Sequence, residues 1–275
     1  MKCPDPGIYE NVPAEVYHSW EALSNSGAGN ILRSPGHYIA DKDNTEETKE
    51  MIRGTGGHAA IQEPERFADE YREGPDVKLN TKAGKEQWEA FVAANPGKIH
   101  IRGAMWPEII GIRDAVWNHP EAKAILSLKG RHEVSVVWIH AATGVLCKSR
   151  IDWAAITHGI IADLKTCKDC RAEVFSRTID DRGYHRQGAM YLHAMAYHGI
   201  AIEDFTIIAV ESEPYHGCEV YRIEDEDLEA GEIEIHEACE IYKQCAGTGI
   251  WPGYSTGIKS IGRPKYRRKA AALAY

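Results

Sequence analysis

Three features of this 275-residue sequence predict a mixed α/β (α+β) fold. Helical periodicity dominates the first 118 residues, and three short runs rich in β-branched residues follow between 132 and 166. Strands and helices then alternate as far as residue 246. Helices first, then a sheet with helices packed on it, describes a central mixed sheet containing an antiparallel meander and flanked by helices.

The elements can be justified in order. Ser24 is a natural N-cap for a helix over 25–33, which Ser34-Pro35-Gly36 stops. Residues 46–63 carry Met51, Ile52, Ala59, Ala60 and Ile61 and predict a helix despite Gly54, Gly56 and Gly57. Each of those glycines costs a helix up to ~1 kcal/mol relative to alanine, so something must pack close to that backbone. Trp88 and Phe91, then Trp106, Ile109, Ile110, Ile112 and Trp117, supply apolar faces for helices over 82–94 and 104–118. Strands are predicted over 132–140, 145–153 and 159–166, separated by turns at Thr143-Gly144 and Thr157-His158-Gly159. Helices near 170–178 and over 183–199, strands over 205–211 and 219–223, and an acidic helix over 224–246 complete the chain. With no internal repeat or Gly/Ser linker, one domain spans residues 1–275, with a core of about 46–223 and a basic tail at 263–269.

The formal charge of −9 argues at first against an anionic partner, because neutralising phosphates needs Lys and Arg. The deficit is local, however. Residues 203–240 hold fourteen acids and one base, a net −13, which leaves the rest of the chain at +4. No apolar run approaches the ~18 residues of a membrane span, and the chain opens without the hydrophobic stretch of a signal peptide. Seven scattered cysteines then suit reduced thiols in a cytoplasmic protein better than a disulfide framework. Cys167-x-x-Cys170 is a weak zinc signal, and combining it with Cys239 and Cys245 into a zinc or iron–sulfur module needs a spacing that is not diagnostic.

The chemistry concentrates in Asp152 and, eleven residues later, Asp163-Leu164-Lys165. On a strand Asp163 and Lys165 share one face while Leu164 packs behind. If the meander pairs, Asp152 on the neighbouring strand reaches the same spot. Two converging carboxylates suit Mg²⁺ or Mn²⁺, and an adjacent amine can hold a water or a phosphoryl oxygen. The same spacing also describes a solvated Asp–Lys pair. His58 on the glycine-rich helix is a candidate ligand or a structural histidine, and Glu133 at the first meander strand either lines that face or lies on the surface. Gln187 and Tyr191, four apart, share a helical face that reads as site or as core. Arg177, Arg182, His185 and Arg186 bring positive charge next to the candidate metal site, where an anionic ligand could bind, or form an ordinary solvated surface.

In order, a GxxxH helix, an Asp, a DxK about ten residues on and a QxxxY helix resemble the RecB-like branch of the PD-(D/E)xK nuclease superfamily. The stretches PGIYENVPAEVYH, GTGGHAAIQEPERF, NTKAGKEQWEAF, VSVVWIHAATGVLCKSRIDW, IIADLKTCKD and GYHRQGAMYLHA, with Trp251-Pro252, resemble the RecE-like exonucleases in particular. That resemblance implies a PD-(D/E)xK restriction-endonuclease-like core in which His58, Asp152, Asp163 and the Leu164 carbonyl hold Mg²⁺, with Mn²⁺ as a substitute. It implies that Lys165 orients or polarises the attacking water and that Gln187 and Tyr191 support the site or the DNA end. Glu133 is implied for a second metal or for placing water. The implied activity is processive 5′→3′ digestion of one strand of linear double-stranded DNA, leaving 3′ overhangs for recombination. A homotetrameric ring, a single-strand annealing recombinase (RecT-like) as partner and a phage or prophage setting accompany it. The competing readings are a RecB-like endonuclease or single-strand exonuclease, and a protein of the same fold that binds DNA ends without cutting.

Overall fold

The computed structural model describes residues 2–41, 49–103 and 105–263. Its elements begin with β1 (Gly7–Tyr9), α1 (Ala14–Ser19), α2 (Asn25–Arg33), α3 (Pro35–Asp41), α4 (Lys49–Gln62), α5 (Pro64–Glu70) and β2 (Tyr71–Glu73). Next come α6 (Lys82–Ala94), β3 (Ile99–Ile101), α7 (Trp106–Asn118), α8 (Pro120–Leu126), β4 (Arg131–Ile139), β5 (Leu146–Ala155) and β6 (Ile160–Cys167). The chain continues with α9 (Ala172–Arg182), α10 (Tyr184–Tyr197), β7 (Asp204–Glu211), β8 (Cys218–Arg222) and α11 (Asp225–Thr248). Six strands form the central sheet in the order β1-β4-β5-β6-β7-β8, and β2 and β3 pair separately. Within the central sheet β6 and β7 run parallel; the other neighbours are antiparallel.

The expected meander is therefore present as β4-β5-β6, and the expected mixed α/β class holds. The caps explain why two helices have the expected ends. Ser24 Oγ accepts from the Gly27 amide at 3.2 Å at the start of α2, and Thr81 Oγ1 accepts from Gly84 at 3.1 Å at the start of α6. Gly183, at φ 64, separates α9 from α10. The helix expected from residue 46 is described from Lys49; residues 46–48 and all of the basic tail beyond Arg263 lie outside the described residues. The acidic stretch 203–240 forms β7, β8 and most of α11. Trp251 stacks on Tyr38 of α3 at 5.4 Å between ring centroids, and Gly36 donates to the Pro252 carbonyl at 2.9 Å, so the chain after α11 returns to α3.

Each sheet face buries a different set of helices, as the period of two requires. On one face Ile161, Phe205, Ile207 and Ala209 pack with Ile31, Phe175, Tyr191, Met195 and Ile235 of α2, α9, α10 and α11. On the other, Ala162, Leu164, Ile208 and Val210 pack with Ile61, Ile112, Val116 and Leu126 of α4, α7 and α8. The glycines of α4 serve this second layer. A Cβ on Gly56 would lie 2.7 Å from Ile109 Cδ1 and one on Gly57 would lie 3.5 Å from Ile112 Cγ2. The close approach expected from the glycine-rich stretch is helix α7 itself. No helix among the described residues is long and apolar enough to cross a membrane.

Helix α10 packs backbone-close on α11, where a Cβ on Gly231 would sit 2.8 Å from the His185 carbonyl oxygen and 2.9 Å from Arg186 Cα. Those are backbone atoms that cannot rotate away. Gly231→Ala is expected to destabilise the protein by ~1–3 kcal/mol through overpacking, read as a lower thermal midpoint. An unchanged midpoint would show that the two helices separate freely.

Candidate active site

The site grows from a fork in the sheet. β5 and β6 pair at Ala155↔Ile160, Ala154↔Ile161 and Trp153↔Ala162, and then part. Beyond the fork β5 continues against β4, and β6 against β7 through Cys167↔Glu211. Leu23 takes the vacated edge of β5, donating to the Leu146 carbonyl and accepting from the Lys148 amide, each at 2.9 Å. The Leu164 backbone, released from β5, is satisfied by side chains. Its amide donates to Asp152 Oδ2 at 3.0 Å, and its carbonyl lies 3.1 Å from His58 Nε2. Backbone polar groups buried without partners are costly, and Asp152 and His58 remove that cost for Leu164.

Asp163 and Lys165 project onto the α10 face, as alternation requires, while Leu164 packs behind among the apolar side chains of α4 and α7. Asp163 is 1% exposed and its Oδ2 meets Lys165 Nζ at 2.6 Å. Its Oδ1 accepts from Gln187 Nε2 at 3.1 Å and lies 3.2 Å from the Tyr191 hydroxyl. Gln187 also donates to Tyr191 at 2.7 Å, and Tyr191 donates to the Arg150 carbonyl at 2.6 Å. Gln187 and Tyr191 thus face Asp163 together. Lys165 Nζ also sits 4.7 Å above the Tyr184 ring, and this cation–π contact holds the amine from the other side.

The electrostatics follow from burial. Desolvation and the neighbouring Asp163 push Asp152 up from its ordinary 3.8 to about 7, against the opposing pull of His58 and Lys165. Burial works against the Lys165 charge as well, but Asp163 and Asp152 outweigh it and hold the amine above its usual value. Lys165 is therefore an ammonium at neutral pH, and the carboxylates crowd each other in a way that an added cation would relieve.

Glu133 completes the group. It lies on β4 between the pairs His132↔Trp153 and Val134↔Ile151, opposite Asp152, with its backbone at φ 53. One ligand atom each from His58, Glu133 and Asp152 fall within 4.8 Å of one another. Arg150 ion-pairs with Glu133 and donates to the Val12 carbonyl at 3.0 Å, fixing that carboxylate's approach. An imidazole, several carboxylates and the Leu164 carbonyl make a mostly hard-oxygen donor set, which fits a divalent cation of the Mg²⁺ or Mn²⁺ type.

The sequence-derived residues separate into three groups. His58, Glu133, Asp152 and Leu164 converge on one side of the fork, and Asp163, Lys165, Gln187 and Tyr191 on the other. Arg177 and Arg182 are exposed along α9, as a DNA contact would need. His185 and Arg186 are a correction, because both are buried. Glu234 of α11 accepts from Arg186 Nη1 at 2.5 Å and lies 3.2 Å from His185 Nε2, while Arg186 Nε donates to Asn25 at 2.9 Å. These side chains clamp α10 to α11 and α2 and are not presented to a DNA backbone. The cysteines do not assemble the zinc or iron–sulfur module that their spacing already disfavoured. Cys239 Sγ lies 3.9 Å from Cys147, not beside Cys167 and Cys170, and among the described residues no cysteine belongs to a metal-sized cluster. Two contributors escaped the sequence reading. Tyr184 was open to inference, standing three before Gln187 on the same helical face; Arg150 had no local signal.

A forked mixed sheet that presents Asp152 and Asp163-x-Lys165 between two helical layers is the nuclease fold of the PD-(D/E)xK class. The chain belongs to the family described as PDDEXK-like domain of unknown function (DUF3799), whose model matches residues 24–264. A solved structure described as a "putative exonuclease" from Eubacterium rectale superposes with a TM-score of 0.61 over 96% of this chain and 99% of that one, at 13% identity. At that identity the likeness shows the fold alone. A second solved chain, SSO0001, covers 69% of this chain and 88% of its own at 13% identity, with a TM-score of 0.31 that carries no argument. No curated protein matches.

The raised Asp152 has a consequence for stability. Between its ordinary 3.8 and about 7 the folded protein holds a proton that the unfolded chain releases, so this group destabilises the fold increasingly as pH rises through that window. Above pH 7 the cost is constant and of order a few kcal/mol. In EDTA at pH 8, Asp152→Asn is expected to melt several degrees above the wild type, with the gap closing below pH 5. Equal midpoints at pH 8 would show that the carboxylate is well solvated.

Proposed function

We propose that the protein is a divalent-metal-dependent deoxyribonuclease acting as a 5′→3′ exonuclease on linear double-stranded DNA, leaving 3′ overhangs. The observation that carries the hydrolytic part is the fork, where the Asp163–Lys165 pair at 2.6 Å faces His58, Asp152 and the Leu164 carbonyl. The polarity and the preference for duplex ends rest on the RecE-like motifs in the sequence.

His58, Asp152, Asp163 and the Leu164 carbonyl would hold the Mg²⁺, with Glu133 able to join them. The ion supplies charge neutralisation at the scissile phosphate. The protein's own groups do the remainder. Lys165, fixed between Asp163 and the Tyr184 ring, hydrogen-bonds the attacking water and lends positive charge to the phosphoryl oxygen. Gln187 holds Asp163 by its Oδ1, which leaves Oδ2 to the lysine. Tyr191 ties the same network to the β5 backbone at Arg150, so the two strands of the fork keep their spacing. Reacting groups placed in this way contribute to rate chiefly through orientation.

With Mg²⁺, linear duplex is expected to be degraded from its 5′ ends while closed circular duplex survives. Asp163→Ala and Lys165→Ala are each expected to lower the rate by at least ~10²-fold, the scale of losing one preorganised charge partner, with thermal unfolding still cooperative. Cutting of the circle would replace the exonuclease reading with a RecB-like endonuclease. Wild-type protein that retains DNA ends without cutting under any divalent metal would favour the end-binding reading. The proposal extends to a ring of four chains and a RecT-like annealing partner. Sedimentation should then return about four times the 30.6 kDa of one chain, and a monomer would remove the ring.

A further inference from the structure

The β7–β8 turn is built at a cost that the fold does not use. Tyr215 at its tip is 91% exposed and has φ 95, and His216 beside it has φ 48. Two consecutive positive-φ positions in a hairpin turn normally select glycine or asparagine. Each costs a side chain with a Cβ roughly 1–2 kcal/mol, yet the large ring at Tyr215 packs into no core cluster.

The turn is nonetheless firmly anchored. The His216 ring fills a notch over Gly111 of α7, where a Cβ would lie 2.3 Å from it, and His216 Nδ1 lies 3.0 Å from the Glu211 carbonyl oxygen. The Glu211 carboxylate accepts from the amides of Cys170 at 3.2 Å and Gly217 at 3.3 Å. Ser212 donates to the Cys167 carbonyl at 2.8 Å, which fastens the turn to the end of β6. Lys165 pairs with Ala209, and only about 7 Å of strand separates Ala209 from Glu211, where the turn begins. A strained, well-held turn therefore displays one aromatic ring to solvent just past the catalytic strand. Strain of this kind persists where the surroundings over-determine it, and it gathers at functional positions.

The chemistry of the turn selects its partner. Residues 211–221 hold three glutamates and no lysine or arginine, so a phosphate would be repelled there. The π-face of a nucleobase would not, because stacking needs no charge. We propose that Tyr215 is a stacking platform for a base of the single strand at the fork, contacting DNA through the base alone. This rests on the deoxyribonuclease reading, and it adds to that reading's arginines a contact that is insensitive to salt. Phosphate contacts weaken steeply as salt rises, whereas a stacking contact does not.

The test measures binding of a labelled oligodeoxyadenylate, and of an abasic strand of equal length, in EDTA so that the strands stay intact. Tyr215→Ala is expected to weaken binding of the base-bearing strand about tenfold, within the range for base–aromatic stacking. Binding of the abasic strand and the salt slope for both strands should be unchanged. Tyr215→Trp should bind like the wild type. Tyr215→Gly should lose the same affinity while melting above the wild type, since glycine accepts φ 95 without strain; that gain separates loss of binding from loss of fold. Equal affinity of wild type and both truncations for the base-bearing strand overturns the platform, as does an equal loss on the abasic strand. Wild type that binds neither strand nor duplex ends overturns the deoxyribonuclease reading itself.

Discussion

The separation of β5 from β6 after Trp153↔Ala162 is the constraint on which the rest of the site depends. A continuous ladder would consume the Leu164 amide and carbonyl and would seal one helical layer from the other. By parting, the strands leave the Leu164 backbone without a partner on the β5 strand in the middle of a packed sheet. That loss must be answered, and it is answered by Asp152 from β5 and His58 from α4. The side chains best placed to coordinate a cation are thus the ones that make the fork tolerable without it. Leu23 performs the complementary task on the β5 side, where it bonds the Leu146 carbonyl and the Lys148 amide.

This arrangement concentrates carboxylates where few charges are comfortable. Asp152 is held near neutrality because desolvation and Asp163 both oppose its charge. Asp163 is stabilised instead by an amine, an amide and a phenol. Two carboxylates on adjacent strands thereby have different surroundings: those of Asp152 oppose its charge, whereas Asp163 lies against the ammonium of Lys165. The stability lost at Asp152 is of the kind that active sites retain, since removing it by substitution would also remove the chemistry. The surrounding layers supply the rigidity to bear it: α7 is pressed against the glycines of α4 behind His58, and α10 is locked to α11 behind Gln187.

How much of this was legible depended on whether the determining interaction was local. The start of α2 was readable because Ser24 caps it three residues away, and α6 was readable from the apolar face of Trp88 and Phe91. The meander was readable from β-branched runs, and with it the shared face of Asp163 and Lys165. The three-residue strands β1, β2 and β3 were not, because too few residues remain to show a period, and α5 and α8 open on Pro64 and Pro120 as helices of about two turns. At the site, Gln187 and Tyr191 were found through their helical spacing. The burial of Arg186 was invisible, because its partner Glu234 lies 48 residues away and an arginine beside a motif looks like any other. Glu133 was underrated for a similar reason: nothing in a strand-forming sequence announces a backbone at φ 53.

Net charge illustrates the same distinction between a sum and an arrangement. The acidic stretch 203–240 dominates the total of −9, yet it is not a uniform repulsive surface. Glu234 is spent on Arg186 and His185, Asp204 on Arg222 at 2.8 Å, and Glu211 on the amides that shape the β7–β8 turn. The remaining acids lie mostly on the outer face of α11, a helix whose inner face packs on α10 behind the fork. What a phosphodiester would meet is instead set by Lys165, by exposed Arg177 and Arg182, and by the cation that the carboxylates are arranged to accept. The total of −9 therefore says little about the charge presented at the fork.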